Sequence, residues 1–387
     1  MEAGSDAQRP GALLTPTFLL VTLAALGAFV SIGALLPTLP RYADGPLGAG
    51  GVGIGLAAGA SSITALVCQP LAGRAGDRLG RRVLLLGGTG LMAATTATYV
   101  LIDALPLLVG MRLLTGVGEA LFFVGAATIV NDLAPGERRG QAFSYFTLAA
   151  YGGLAIGPLL GDIVLAGDRY DAVWLAAAAS ALAAFLIGLL VPETMPAHDG
   201  PKPGGRFVYG PALPPGLVLL AALFGFGGFN AFIALYALEL GVERTGLVFA
   251  TFAVIVLLVR SVGARIPDVL GPRRAAQVAL VCLSLGMATI AGWRTVAGLF
   301  LGTAIFSVGQ SLAFPALMAL AVGNAPPAAR SSAVGTISAF VDLAIALGAV
   351  TLGAVVGIAG YRGAFLTASA VSAGGLLLLA RLRTPSP

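Results

Sequence analysis

Charged and polar residues punctuate long apolar runs in this chain and do not recur as one face of a repeating element. Residues 13–39 and 172–191 contain no charged side chain. Either run can cross a hydrocarbon layer, since about twenty helical residues span roughly 30 Å. A helix packed on a soluble core would bring polar residues back every three or four positions. Twelve apolar spans follow, near 15–39, 51–72, 83–102, 104–130, 140–163, 172–191, 215–238, 245–264, 275–293, 295–321, 331–357 and 363–380. A helix satisfies its own backbone where water is absent. The pattern therefore predicts an all-α membrane protein of twelve transmembrane helices.

The longest polar stretch, 192–214, is rich in proline and glycine and separates the spans six from six. It predicts an N-terminal bundle over 1–191, a cytoplasmic linker over 192–214 and a C-terminal bundle over 215–387. An internal repeat supports this division. Adding 191 to a position carries Asp77 to Asp268, Gly80 to Gly271, Arg82 to Arg273, Gly118 to Gly309, Pro135 to Pro326, Arg139 to Arg330, Gly157 to Gly348 and Tyr170 to Tyr361. Glycine matches are cheap in a chain with 55 glycines, but Asp, Pro and Arg matches at one register are not. The halves are thus expected to be pseudo-symmetric six-helix bundles, with a substrate site at the midplane between them.

Composition sharpens the class. The chain is 58% hydrophobic and 10% charged, against about a quarter charged in soluble domains, and its mean hydropathy is +0.95. The first residues lack a basic segment, so the first span is expected to serve as its own anchor. Cys68 and Cys282 sit in separate apolar runs and read as packing residues. The one histidine, His198, falls in the linker, which argues against a histidine-based metal site; neither metal nor cofactor is expected. With an even number of spans, fifteen basic residues fall on the side of the termini and five on the other. By the positive-inside rule both termini are cytoplasmic, and the net charge of +5 reflects topology and not nucleic-acid binding. One lysine among the basic residues, with abundant alanine and glycine, suggests a bacterial source and its cell membrane.

Between the second and third spans stands the charged knot GRAGDRLGRR, Gly73 to Arg82. Gly73, Asp77, Arg78, Gly80, Arg81 and Arg82 resemble the signature loop of the major facilitator superfamily, with a weaker echo at Asp268, Gly271, Arg273 and Arg274. The resemblance covers nearly the whole chain and implies a transporter, not an enzyme. It also implies that these residues form a conformational latch. Asp77 would meet the start of the eleventh span near Ser331, and Arg81 would pair with Asp132 at the end of the fourth. A helix N-terminus favours an aspartate by about 0.3–1 kcal/mol when exposed.

Two further stretches carry chemistry. In the fifth span, GGLAIGPLLGD resembles the pattern of superfamily exporters that exchange substrate for protons. Gly153, Gly157 and Gly161 share one helical face there and Pro158 removes a backbone donor, which permits close packing and a bend. Ser144 and Asp162 depart from that pattern. In the fourth span, Arg112 and Glu119 lie on one face, about 10 Å apart along the axis, and Arg112 resembles the superfamily's fourth-span arginine. Charges within a membrane normally face a cavity or a partner, so Glu119, Asp342 and Arg112 are the expected proton-coupling residues. Phe122, Tyr151, Phe226, Asn230, Gln310 and Phe314 are the expected substrate-binding residues. They suit a bulky, hydrophobic, drug-like molecule or secondary metabolite, and a cationic centre on it would suit Glu119 and Asp342. The expected protein is a monomeric, proton-coupled exporter in the lipid bilayer, handling a small-molecule substrate and protons. Transport of a sugar or other polar metabolite, or a non-transporting receptor, stays open.

Overall fold

The computed structural model describes residues 13–135, 138–195, 209–262, 270–323, 325–326 and 330–382. They are helical almost throughout: α1 (Pro16–Asp44), α2 (Gly51–Leu79), α3 (Arg81–Ala97), α4 (Leu105–Leu133), α5 (Arg139–Val164), α6 (Tyr170–Gly188), α7 (Leu213–Glu239), α8 (Gly246–Val262), α9 (Pro272–Gly292), α10 (Val296–Val322) and α11 (Arg330–Arg381). The helix α11 holds the last two expected spans. Gly360, at φ 65°, breaks it into limbs over 330–359 and 361–381, so the described residues form twelve helical passes, of which α8 is one of the shortest. His198, Lys202, Arg206, Arg265 and Asp268 lie outside the described residues.

Local chemistry sets the helix ends. The Thr15 hydroxyl accepts the Phe18 N–H at 3.2 Å with Pro16 in the first turn, and Thr295 does the same for Gly298 at 3.1 Å. Within the helices, hydroxyls such as those of Thr22, Thr89, Thr128 and Ser307 donate to the carbonyl four residues back at 2.6–2.8 Å. That satisfies them where lipid offers no partner. The outer faces are inverted relative to a soluble protein, with Ile358 89% and Leu101 80% exposed.

Two expectations need correction. The charged knot is not a loop: Gly73 to Leu79 continue α2, Arg81 opens α3, and only Gly80, at φ 101°, breaks the helix. A helix can run past the hydrocarbon as long as its backbone bonds continue, and here a left-handed glycine stops it. The last two spans likewise have no loop between them beyond Gly360.

The glycine stripe of α5 seats that helix on α1. A Cβ at Gly153 would lie 2.6 Å from that of Phe29, one at Gly157 2.5 Å from the Val30 carbonyl, and one at Gly161 2.6 Å from the Ala34 carbonyl. Gly348 packs in the same way on the Phe224 carbonyl of α7, its repeat counterpart.

The halves join at the end remote from the arginine knot, called here the far end. Gly51 and Gly55 of α2 lie against the Gly353 and Ala349 carbonyls of α11 without room for a side chain. Asp162 of α5 accepts the Gly246 N–H that opens α8 and the Thr245 hydroxyl at 3.3 Å, with Arg41 at 3.9 Å. The apolar core follows this arrangement. One cluster runs through Ala34, Leu35 and Leu39 of α1 into α7, α10 and α11, whereas Phe18, Val21, Ala24 and Ala28 belong to a separate cluster within the N-terminal half.

Because Gly157 allows direct backbone contact, Gly157→Val is expected to lower stability by about 1–3 kcal/mol through overpacking. Thermal denaturation of the purified protein measures this, and an unchanged midpoint would show that α5 can move off α1 freely.

Candidate functional site

Arg112 is 7% exposed, deep in α4, and its guanidinium has lost its water. Its donors are met instead by α2 and by its own helix. Nε donates to the Ala57 carbonyl at 3.2 Å, Nη2 to the Ser61 hydroxyl at 2.7 Å, and Nη1 lies 3.6 Å from Glu119 Oε1. Behind it stand the Tyr99 hydroxyl, 2.8 Å from Thr115 Oγ1, and Thr95, 3.1 Å from the same atom. The expected Arg112–Glu119 face is therefore present as an ion pair. Glu119 Oε1 is buried and has no hydrogen-bond partner beyond it.

Across the interface, Asp342 on the first limb of α11 accepts from Gln69 Nε2 of α2 at 3.0 Å. Asp342 and Glu119 lie close enough that their charges repel. The structure thus sets two carboxylates within electrostatic reach of each other, with Arg112 beside one and Gln69 on the other.

The charged knot lies at the basic end. Arg81, 8% exposed, pairs with Asp77 at 2.9 Å and with Asp132 at 3.4 Å, and donates to the Gly76 carbonyl at 2.6 Å. The Arg81–Asp132 contact is as the resemblance implied. Asp77 differs: its partner among the described residues is Arg81, and its side chain is 59% exposed instead of capping α11 near Ser331. Asp77 and Asp132 share the Arg81 guanidinium, both from the N-terminal half. Gly73 has open space around it and Arg78 is exposed.

The family model of the Major Facilitator Superfamily matches residues 21–291 and 216–387. An uncharacterized MFS-type transporter of Salmonella typhimurium is 31% identical over 372 residues, covering 92% of this chain and 93% of that protein. The chain belongs to the Major Facilitator Superfamily. Among solved structures, the nucleoside transporter NupG superposes with a TM-score of 0.75 at 16% identity, covering 95% of this chain and 100% of that one. The human organic anion transporter MFSD10 superposes with a TM-score of 0.69 at 22% identity, covering 94% and 100%. These two likenesses concern the fold. The protein is a multi-pass membrane transporter of small molecules, not an enzyme.

The aromatic candidates of this superfamily member separate into two groups. Phe122 is 1% exposed, set edge-on against Phe29 at 5.5 Å inside the N-terminal core, with no surface left for a ligand. Gly88 and Gly118 draw α3 so close to α4 that a large side chain there fills the gap. Phe226, stacked on Phe252 at 5.3 Å, is half-buried, as are Phe314, Asn230 and Tyr151. Gln310 is 8% exposed with an unpartnered Oε1. It stands at the repeat position of Glu119, so both fourth helices carry an orphan acceptor.

Sequence reasoning missed Ser61, Gln69, Tyr99, Thr115, Arg260 and Glu193. The first four are neutral groups whose role comes from what another helix brings to them. Arg260 was legible as a charge inside a span. Glu193 follows α6 and was hidden in a polar stretch. Its carboxylate accepts the N–H groups of Arg81 at 2.9 Å, Arg82 at 3.2 Å, Thr194 at 3.0 Å and Met195 at 3.0 Å. It fills the space that a side chain at Gly80 would need. Arg82 completes the tie by donating to the Leu189 carbonyl at 2.7 Å.

Partial burial pushes the Glu193 carboxyl up, but its four backbone donors outweigh this and hold it below its ordinary value of 4.5. A lowered carboxyl stabilises the fold above the unfolded-state value, and that contribution fades as pH falls through the lowered one. Glu193→Gln is expected to melt below the wild type at neutral pH, with the two curves converging as pH drops below about 4.5. Parallel curves across that range would remove Glu193 as an ionised cap.

Proposed function

We propose that the protein is a secondary active transporter exporting bulky, hydrophobic, drug-like compounds or secondary metabolites in exchange for protons, by alternating access. The observation that carries this reading is the pair of carboxylates between the halves, Glu119 beside Arg112 and Asp342 on Gln69. A proton arriving at Glu119 would release Arg112 from its only carboxylate among the described residues, and a bound substrate would compete for the same space. Exclusion of one by the other gives exchange. The half-buried aromatic rings of α7 and α10 favour an apolar substrate body.

The arginine knot faces the cytoplasm in this proposal, so the packed far end is extracytoplasmic and the structure is closed to the outside. The Asp77–Arg81–Asp132 cluster is then a latch caught open: when the basic ends meet, Asp77 can leave Arg81 for the N-terminus of α11. The glycine face of α5, Gly153, Gly157 and Gly161 with Pro158, supports the antiport reading by fixing α5 on α1 as one unit that moves against α8.

Proteoliposome flux under an imposed pH gradient tests coupling. Glu119→Gln, which resembles the protonated acid, is expected to lose at least about 90% of pH-driven flux, and Asp342→Asn to be impaired less. If both variants keep full pH-driven flux, protons are not exchanged at this site.

Topology has its own check. A cysteine replacing His198 is expected to react with an impermeant thiol reagent only after the cytoplasmic face is opened. Labelling in intact cells would reverse the orientation.

A further inference from the structure

Arg260 lies in the last described turn of α8, about 21 Å along the helix from Gly246. Its guanidinium stands 4.9 Å above the Tyr151 ring of α5, across the interface between the halves. Its Nε is buried without a hydrogen-bond partner. No acidic side chain among the described residues pairs with it.

The internal repeat shows what is missing. Adding 191 turns Gln69 into Arg260 and Tyr151 into Asp342. The α2–α11 contact between Gln69 and Asp342 and the α8–α5 contact between Arg260 and Tyr151 are therefore one contact built twice. In the first copy a neutral donor meets a carboxylate. In the second the donor is a full cation with a five-donor fork, and the carboxylate's place is taken by a phenol ring that offers its π face. Arg260 is half-buried, and a charge-assisted bond would meet its buried Nε–H. Among the other charged groups of the site, Glu119 already faces Arg112 and Asp342 accepts from the Gln69 amide.

We propose that Arg260 is the anchor for an anionic group of the transported molecule, a carboxylate, which lifts the guanidinium off the Tyr151 ring and accepts from its orphan Nε–H. The substrate class is then an amphiphilic organic anion, its apolar body lying toward the half-buried Phe226 and Phe314 and a hydrogen-bond donor on it within reach of Gln310 Oε1. This rests on the reading of the space between the halves as a transport site, but not on proton exchange.

The test is equilibrium binding of radiolabelled 2-naphthoate and its uncharged isostere 2-naphthamide to the purified full-length protein in detergent, at fixed pH. The wild type is expected to prefer the carboxylate. Arg260→Gln is expected to weaken 2-naphthoate by about tenfold or more, the scale of a lost bond to a charged group, and to leave 2-naphthamide little changed. Arg260→Lys retains the charge and is expected to recover part of the preference, which separates recognition from folding. Equal binding of the two probes to the wild type, absence of 2-naphthoate binding, or an undiminished preference in Arg260→Gln would each overturn the proposal. Carboxylate preference without pH-driven flux counts against proton exchange alone. Intact pH-driven flux without that preference counts against this anchor alone.

Discussion

Hydrocarbon offers no hydrogen bonds, and every polar group carried into it must be met by the protein. Arg112 shows how far this constraint reaches. With water excluded, its guanidinium fastens α4 to α2 through the Ala57 carbonyl and Ser61, and the remaining donor turns Glu119 toward the interface with α11. The Tyr99, Thr115 and Thr95 hydroxyls satisfy one another behind it. Removing the charge would leave a set of neighbours without partners, so the position of the midplane carboxylate and the packing of the N-terminal half have one cause.

Symmetry and its breaking divide the molecule into frame and site. Framing contacts appear twice. Arg82 holds the Leu189 carbonyl at the end of α6, and Arg273 holds the Leu379, Ala380 and Leu382 carbonyls at the end of α11. Gly80 and Gly271 turn the chain with positive φ at equivalent places. The repeats diverge where the halves face one another: Glu119 against Gln310, Tyr151 against Asp342, Gln69 against Arg260. Positions that only hold a bundle together can stay alike, whereas positions where the two repeats meet pack against unlike partners and can diverge.

Closure of the far end is built from small residues. Gly51 and Gly55 lie directly against α11 and Asp162 holds the first turn of α8, beside the apolar cluster that Leu35 and Leu39 share with α7, so separation would expose backbone, a helix N-terminus and apolar surface together. The basic end relies on arginines instead. Its present ties, from Glu193 and Asp132, run within the N-terminal half. Arg81 holds Asp77 there as well, at 2.9 Å.

Apolar run length alone determined the all-helical membrane fold, because a stretch with no charge over about twenty residues has one stable form in lipid. The spacing of Arg112 and Glu119 placed them on one helical face, since that depends only on covalent distance along the chain, whereas their ion pair at 3.6 Å is seen in the structure. Helix ends were less legible: α2 runs on through the charged knot to Leu79, and α11 passes Arg362 with only Gly360 out of line, because polar residues outside hydrocarbon do not stop a helix. Tertiary structure decided the rest. It sealed Phe122 in the core, set Gln69 on Asp342 and Arg260 on Tyr151, and drew Glu193 onto the start of α3. These pairs are more than one hundred residues apart, and their partners are chosen by which helices cross at a given depth in the bilayer, a distance that no local pattern records.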